Sequence, residues 1–109
     1  MLVVDVEASG TNYEQHSIVS IGALDLHNPT NRFYGECCIW PGAKIMSGAL
    51  EVNGFTEAEI TDPSKPTEAD LITEFLVWSN QVSDRTLAGQ NVSFDRDMLR
   101  AAADRADQN

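Results

Sequence analysis

The sequence predicts an α/β domain, a mixed β-sheet with helices packed on it, in the order strand, hairpin, helices, strand, helix. Three observations carry that expectation. The chain opens on Leu2-Val3-Val4-Asp5-Val6-Glu7, a run of β-branched residues closed by a turn at Gly10. Two more strand-like runs follow with a turn cluster between them. Across residues 67–82 the apolar spacing then changes from strand-like to helical.

Each element has a local reason. Residues 2 to about 7 form an apolar run of the kind expected in the middle of a sheet. Residues 11–15 are polar and read as a loop, with His16 beside them read as a solvated histidine. Residues 17–26 and 32–40 are the second and third strands. The cluster His27-Asn28-Pro29-Thr30-Asn31 between them makes an antiparallel hairpin and leaves His27 exposed. Pro41-Gly42 breaks the sheet. Ser47 is placed to cap a short helix through about Val52, and Asn53-Gly54 is placed to end it. Thr56-Glu57-Ala58-Glu59 has the form of a capping box.

Residues 62–66 connect to a longer helix that Thr67-Glu68-Ala69-Asp70 opens, with Asp standing where Glu is usual in the box. Leu71, Ile72, Phe75, Leu76, Trp78 and Val82 recur on it as a core stripe. Residues 86–89 read as a short, buried fourth strand. A last helix starts at about Phe94, with Phe94, Met98 and Leu99 facing inward.

Composition sets the bounds. At 109 residues and 42% apolar content, the chain is expected to be one domain, residues 1–109, with a modest core and no disorder. No apolar run approaches the ~20 residues that span a bilayer. Met1 leads straight into the first strand with no basic, apolar leader, so a cytoplasmic location without a membrane partner is expected. Cys37 and Cys38 are adjacent and would face opposite sides of a strand. They read as small buried hydrophobes, not as a bridge or a metal pair. The net charge is −10, with only 7 Lys and Arg. That excludes broad, charge-driven binding to nucleic acid. It leaves open an enzyme that grips a short strand through bound cations.

The chemistry centres on Asp5 and Glu7. Residues two apart on a strand share a face, so both carboxylates point into one small region. Among 17 acidic residues an Asp-x-Glu triplet arises easily by chance. Chance acids belong on a solvated segment, however, and these interrupt a valine run. Two like charges held close repel unless a cation sits between them. An all-oxygen site suits Mg²⁺ or Mn²⁺. Asp95, in the first turn of the last helix, favours the helix dipole simply by its position. If the first and fourth strands are adjacent and parallel, it also becomes a third carboxylate at the same sheet edge.

These residues resemble a known family. Asp5-Val6-Glu7 followed by Ser9-Gly10-Thr11 is similar to the first motif of the DnaQ-like (DEDD) 3′→5′ exonucleases. Asn91-Val92-Ser93-Phe94-Asp95 matches the second motif, Asn-x-x-Phe-Asp. The stretch from Ala49 to Thr56 resembles an intervening segment that ends in Gly, an apolar residue and Thr. The resemblance implies a ribonuclease H-like fold and hydrolysis of nucleotides from nucleic acid 3′ ends with two Mg²⁺ or Mn²⁺ ions. It implies that Asp5 bridges both metals, that Glu7 holds one beside the attacking water, and that Asp95 holds the other. Ser9, Gly10 and Thr11 would lie near the terminal nucleotide, Asn91 would hydrogen-bond in the groove, and Phe94 would mainly pack; Phe55 reads first as core and second as a border to the terminal base.

The family also has a third motif, a His or Tyr general base ahead of a last metal-binding Asp. Nothing after Asp95 matches it. The fold is therefore expected to lack its last strand and helix, and the chain alone to be weakly active or inactive. Single-stranded DNA or RNA 3′ ends are the expected partners, with a polymerase or self-association through the sheet edge as further expectations. The alternative is a non-catalytic module of the same fold that binds nucleic acid ends or a protein. A plain α/β domain whose acids only cap and solvate is the third reading.

Overall fold

Strand β1 (Leu2–Ala8) is the axis of the sheet in the computed structural model, which describes residues 1–107. It is followed by β2 (Ile18–Asp25), β3 (Asn28–Glu36), α1 (Ala49–Asn53), α2 (Glu57–Ile60), α3 (Glu68–Ser79), β4 (Leu87–Ala88) and α4 (Val92–Asp107). The strand order is β3-β2-β1-β4. β1 pairs antiparallel with β2 and parallel with β4, the arrangement on which Asp95's role as a third carboxylate depended.

The β1 side chains alternate. Leu2, Val4, Val6 and Ala8 are buried against Leu71, Ile72 and Phe75 of α3 and Met98, Leu99 and Ala102 of α4. Val3 and Glu7 are half-buried and Asp5 is exposed. So β1 is central in the sheet, as expected, but buried on one face only, because both long helices pack on that side. β4 is short, half-buried and at the edge, not enclosed as the sequence suggested.

The hairpin turn is tighter than its composition implied. Asp25 pairs with Asn28, leaving only Leu26 and His27 in the turn. The Asp25 carboxylate accepts the His27 N–H at 3.0 Å and closes it. Pro29 is tolerated because β3 is an edge strand. At its far end β3 stops at Glu36. The Cys38 N–H goes to Pro66 and the Ile39 N–H to Ile60, so the chain peels off the sheet toward α2 and the following connector.

The caps divide in the same way. Thr56 and Glu59 exchange both bonds of the capping box. The Thr67 hydroxyl accepts the Asp70 N–H at the start of α3. Ser47 does not cap α1. That position falls to Gly48 at φ 83°, a left-handed backbone that suits glycine. Leu71, Ile72, Phe75 and Val82 are buried as expected, but Leu76 is 40% exposed on the outer side of α3. Cys37 is buried and donates its thiol to the Ile18 carbonyl, whereas Cys38 is half-buried; both are unpaired.

Candidate active site

β1 brings Asp5 and Glu7 to one face, and α4 brings Asp95 to the same edge. The bond that places Asp95 follows from sheet geometry. The amides of Leu2, Val4 and Val6 point to the β4 side, and Leu2 N–H donates to the Thr86 carbonyl there. β4 ends at Ala88, so Val6 N–H lies beyond the last strand partner. The Asp95 carboxylate takes that place, accepting Val6 N–H through Oδ1 at 3.1 Å. This buried bond spans 89 residues of sequence and leaves Asp95 only 4% exposed. A residue for which the sequence offered two readings, a helix-dipole acid and a third carboxylate at the sheet edge, is thus anchored to the central strand.

Asp5, Glu7 and Asp95 line one cleft of about 460 Å³. Its walls also include Gly89, Gln90, Asn91 and Phe94, and among the described residues no Lys, Arg or His lines it. The charges are felt. Burial, then Asp5, then Asp95 hold the Glu7 carboxyl above its ordinary range. Burial pushes the Asp95 carboxyl up, with Asp5 adding to the effect, while the Val6 N–H pulls the other way. Protonation is thus favoured where metal coordination would need the ionised form. Among the described residues no three acidic, His or Cys side chains form a ready-made metal cage. The donors nonetheless suit a hard divalent cation: all are oxygens, they share one cleft, and Asp95 keeps Oδ2 free of the Val6 bond.

A second, more apolar pocket of about 510 Å³ adjoins the first and shares Val6, Glu7, Asn91 and Phe94 with it. Gly10 and Thr11 form one side. Met46, Ala49 and Val52 form the other. Asn53 fastens that wall to β1, donating from Nδ2 to the Ala8 carbonyl at 3.0 Å and accepting the Phe55 N–H on Oδ1.

Two sequence assignments do not fall here. Ser9 is fully buried, its hydroxyl shared between the Lys44 carbonyl and the Ser17 N–H. It ties loop to strand and leaves no group for a ligand. Phe55 lies outside both pockets, with the Lys65 ammonium 5.5 Å from its ring centre. His16 is also misread as solvated. It is 7% exposed, packed beneath Gly10, and accepts the Asn12 N–H on Nδ1. Met46 had no signal in the sequence, and Val52 and Asn53 had only helix-end and segment signals that did not place them against β1; the chain path from β3 into α1 brings all three there.

No protein-family model matches the chain. Curated relatives do. The chain is 33% identical over 102 residues to a DNA polymerase III subunit epsilon from Buchnera aphidicola, covering 86% of this chain and 40% of that protein. It is 31% identical over 119 residues to a ribonuclease T from Hahella chejuensis, covering 97% and 54%. It is 34% identical over 98 residues to the 3′-5′ DNA exonuclease Cap18 of Escherichia coli, covering 84% and 50%. The chain thus spans roughly half the length of the relatives it matches. Among solved structures, a metal-free complex of E. coli exonuclease I with single-stranded DNA superimposes with a TM-score of 0.77 at 20% identity, over 96% of this chain and 23% of that one. A complex of the same enzyme with a dT13 oligonucleotide gives 0.75 at 21%, over 96% and 23%.

Proposed function

The chain is related by sequence and by its ribonuclease H-like fold to the DnaQ-like (DEDD) 3′→5′ exonucleases, and we propose that it forms the metal-binding and nucleotide-binding part of such an enzyme. The observation that carries this reading is the place of Glu7. It lines both the carboxylate cleft and the apolar pocket. A nucleotide whose base and sugar occupy the pocket therefore presents its phosphate to the acids.

The residues divide the work. Asp5, the most exposed of the three, would hold both cations, and Glu7 would hold the one beside the attacking water. Asp95, pinned through Oδ1 to β1, offers Oδ2. Two Mg²⁺ or Mn²⁺ ions bound there would supply the positive charge that stabilises both the attacking and the leaving oxygen of the phosphodiester. Gly10 and Thr11 hold the terminal nucleotide from one side and Met46 and Val52 from the other. Asn91, at the junction of the two pockets, offers its amide to the backbone of the strand. The acidic surface suits this arrangement, because affinity for the phosphates then comes through the cations and not from a basic face.

Among the described residues no His or Tyr lines the cleft, so none is placed there as a general base. Neither His16, beneath Gly10, nor His27, in the hairpin turn, lines it. The fourth carboxylate of the family pattern is likewise absent from the cleft walls. A single-stranded 3′ end is the proposed substrate. A polymerase partner is a further proposal supported by the epsilon relatives, and association through the free edge of β4 is another. No helix among the described residues is long and apolar enough to cross a membrane. A reducing, cytoplasmic setting agrees with the two unpaired cysteines.

The test is fluorescence anisotropy with a single-stranded oligonucleotide labelled at its 5′ end. We expect binding that requires Mn²⁺, is weakened when the 3′ hydroxyl is replaced by a 3′ phosphate, and is lost in Asp5→Ala. Binding that is indifferent to both Mn²⁺ and Asp5→Ala contradicts the nuclease reading and favours a non-catalytic binding module.

A further inference from the structure

We infer that Gly89 is a positioning residue for the candidate metal site, acting through Asp95; the metal part of this inference rests on the function proposed above. Gly89 follows β4 directly and lines the carboxylate cleft. A Cβ built there would stand 2.7 Å from the Val4 carbonyl oxygen and 3.3 Å from Asp95 Oδ2. The first contact is with backbone of the central strand, which cannot turn aside as a flexible side chain would. The second is with the one Asp95 oxygen that the Val6 N–H does not engage.

Backbone conformation does not demand glycine here. The positive-φ glycines of the chain are Gly42, Gly48 and Gly54. Close approach is the reason instead. Only three residues, 89–91, separate β4 from α4, so the chain must turn off the sheet at once for α4 to begin at Val92 and deliver Asp95 against β1. A side chain at position 89 would wedge β4 away from Val4 and push on Oδ2. Both movements act on the same joint, the Asp95–Val6 bond, and so on the direction in which Oδ2 faces the cleft.

The 109-residue protein serves for the test, with two readouts on wild type, Gly89→Ala and Leu87→Ala. Leu87→Ala loosens β4, where Leu87 pairs with Leu2, at a residue that does not line the carboxylate cleft. The first readout is amide hydrogen exchange of Val6 by NMR in EDTA, normalised to the amides of β2. The second is the Mn²⁺ affinity by electron paramagnetic resonance. Gly89→Ala should speed Val6 exchange at least tenfold and raise the Mn²⁺ Kd at least tenfold, while Leu87→Ala leaves both within about twofold. Wild-type protection of Val6 in Gly89→Ala overturns the inference, and so does an equal loss in Leu87→Ala. A Gly89→Ala chain that fails to fold, where Leu87→Ala folds, also overturns it in favour of a purely structural glycine. Wild-type protein that binds no Mn²⁺ refutes the metal-site reading separately, and the exchange result alone then decides whether Gly89 positions Asp95.

Discussion

Two buried carboxylates in this molecule are treated in opposite ways. Glu68, 3% exposed, has four donors. Arg105 grips it bidentately, Nε to Oε1 and Nη2 to Oε2, both at 2.9 Å. The Ser17 hydroxyl and the Ile18 N–H complete the set at Oε2. Asp95, 4% exposed, has one backbone donor and two acids for company. The first arrangement is self-sufficient and joins α3, α4 and the start of β2. The second is short of positive charge. A buried carboxylate without a counter-charge is costly, and the same fold that supplies a guanidinium to Glu68 supplies none to Asp95. The difference separates an acid that builds the fold from acids that the proposed function assigns to a cation.

The strongest way to break that contrast is Glu68→Ala. Removing it takes away the carboxylate that the Ser17 hydroxyl, the Ile18 N–H and the Arg105 guanidinium share, and leaves Arg105 its bond to the Tyr13 carbonyl and its place over the Trp40 ring. The loss should be about 2–4 kcal/mol, below that of a fully buried pair because the Arg105 side chain is 24% exposed. Urea unfolding at pH 7 measures this. A loss under ~1 kcal/mol would mean that Glu68 is no more structural than an exposed pair.

Asp5→Ala should do the reverse. In EDTA it relieves repulsion on Glu7 and Asp95, so thermal unfolding should occur at the same or a higher temperature. Mn²⁺ at a hundred times its Kd should stabilise wild type by about 2.7 kcal/mol, and Asp5→Ala should abolish that gain. An equal gain in the mutant removes Asp5 from the metal site.

Acidity sharpens the contrast further. Glu7 and Asp95 hold protons more tightly in the folded chain than their ordinary carboxyl values would allow. Their contribution is fully present below the ordinary carboxylate range and is lost as pH rises through the raised folded values. Metal-free wild type should therefore lose stability relative to Glu7→Gln as pH rises from about 4, and Mn²⁺ should remove the difference. Melting curves across pH 3–7 with and without EDTA decide it. The smallest expected signal is catalytic. With no base at the cleft, these 109 residues should release almost no mononucleotide from a single-stranded oligonucleotide in Mn²⁺. Vigorous, Asp5-dependent cleavage would show that another group serves as the base.

Much of the site was legible because it obeys short-range rules. The two-residue period of a strand places Asp5 beside Glu7. The capping box at Thr56 and the stripe through Leu71, Ile72 and Phe75 are local in the same sense. The errors share one cause. His16 is polar and sits beside a polar stretch, so nothing local reveals that Gly10 leaves room for its ring. Phe55 follows Gly54 as the resemblance implies, yet the turn at Gly54 carries it to Lys65 and away from the cleft. The hairpin turn shrank because a single side chain, Asp25, closed it.

By itself the sequence determined the α/β class, the order of the elements and the carboxylate pair on one face of β1, since these depend on residue type and spacings of two to four. Only the tertiary structure decided that Asp95 replaces a strand partner of Val6, that Gly89 must be bare, that Met46 and Val52 wall the pocket, and that Glu68 and not Asp95 receives the arginine. Each of those facts is a contact between segments far apart in the chain, and contacts of that kind depend on how β1, α3 and α4 pack together, not on any one stretch of residues.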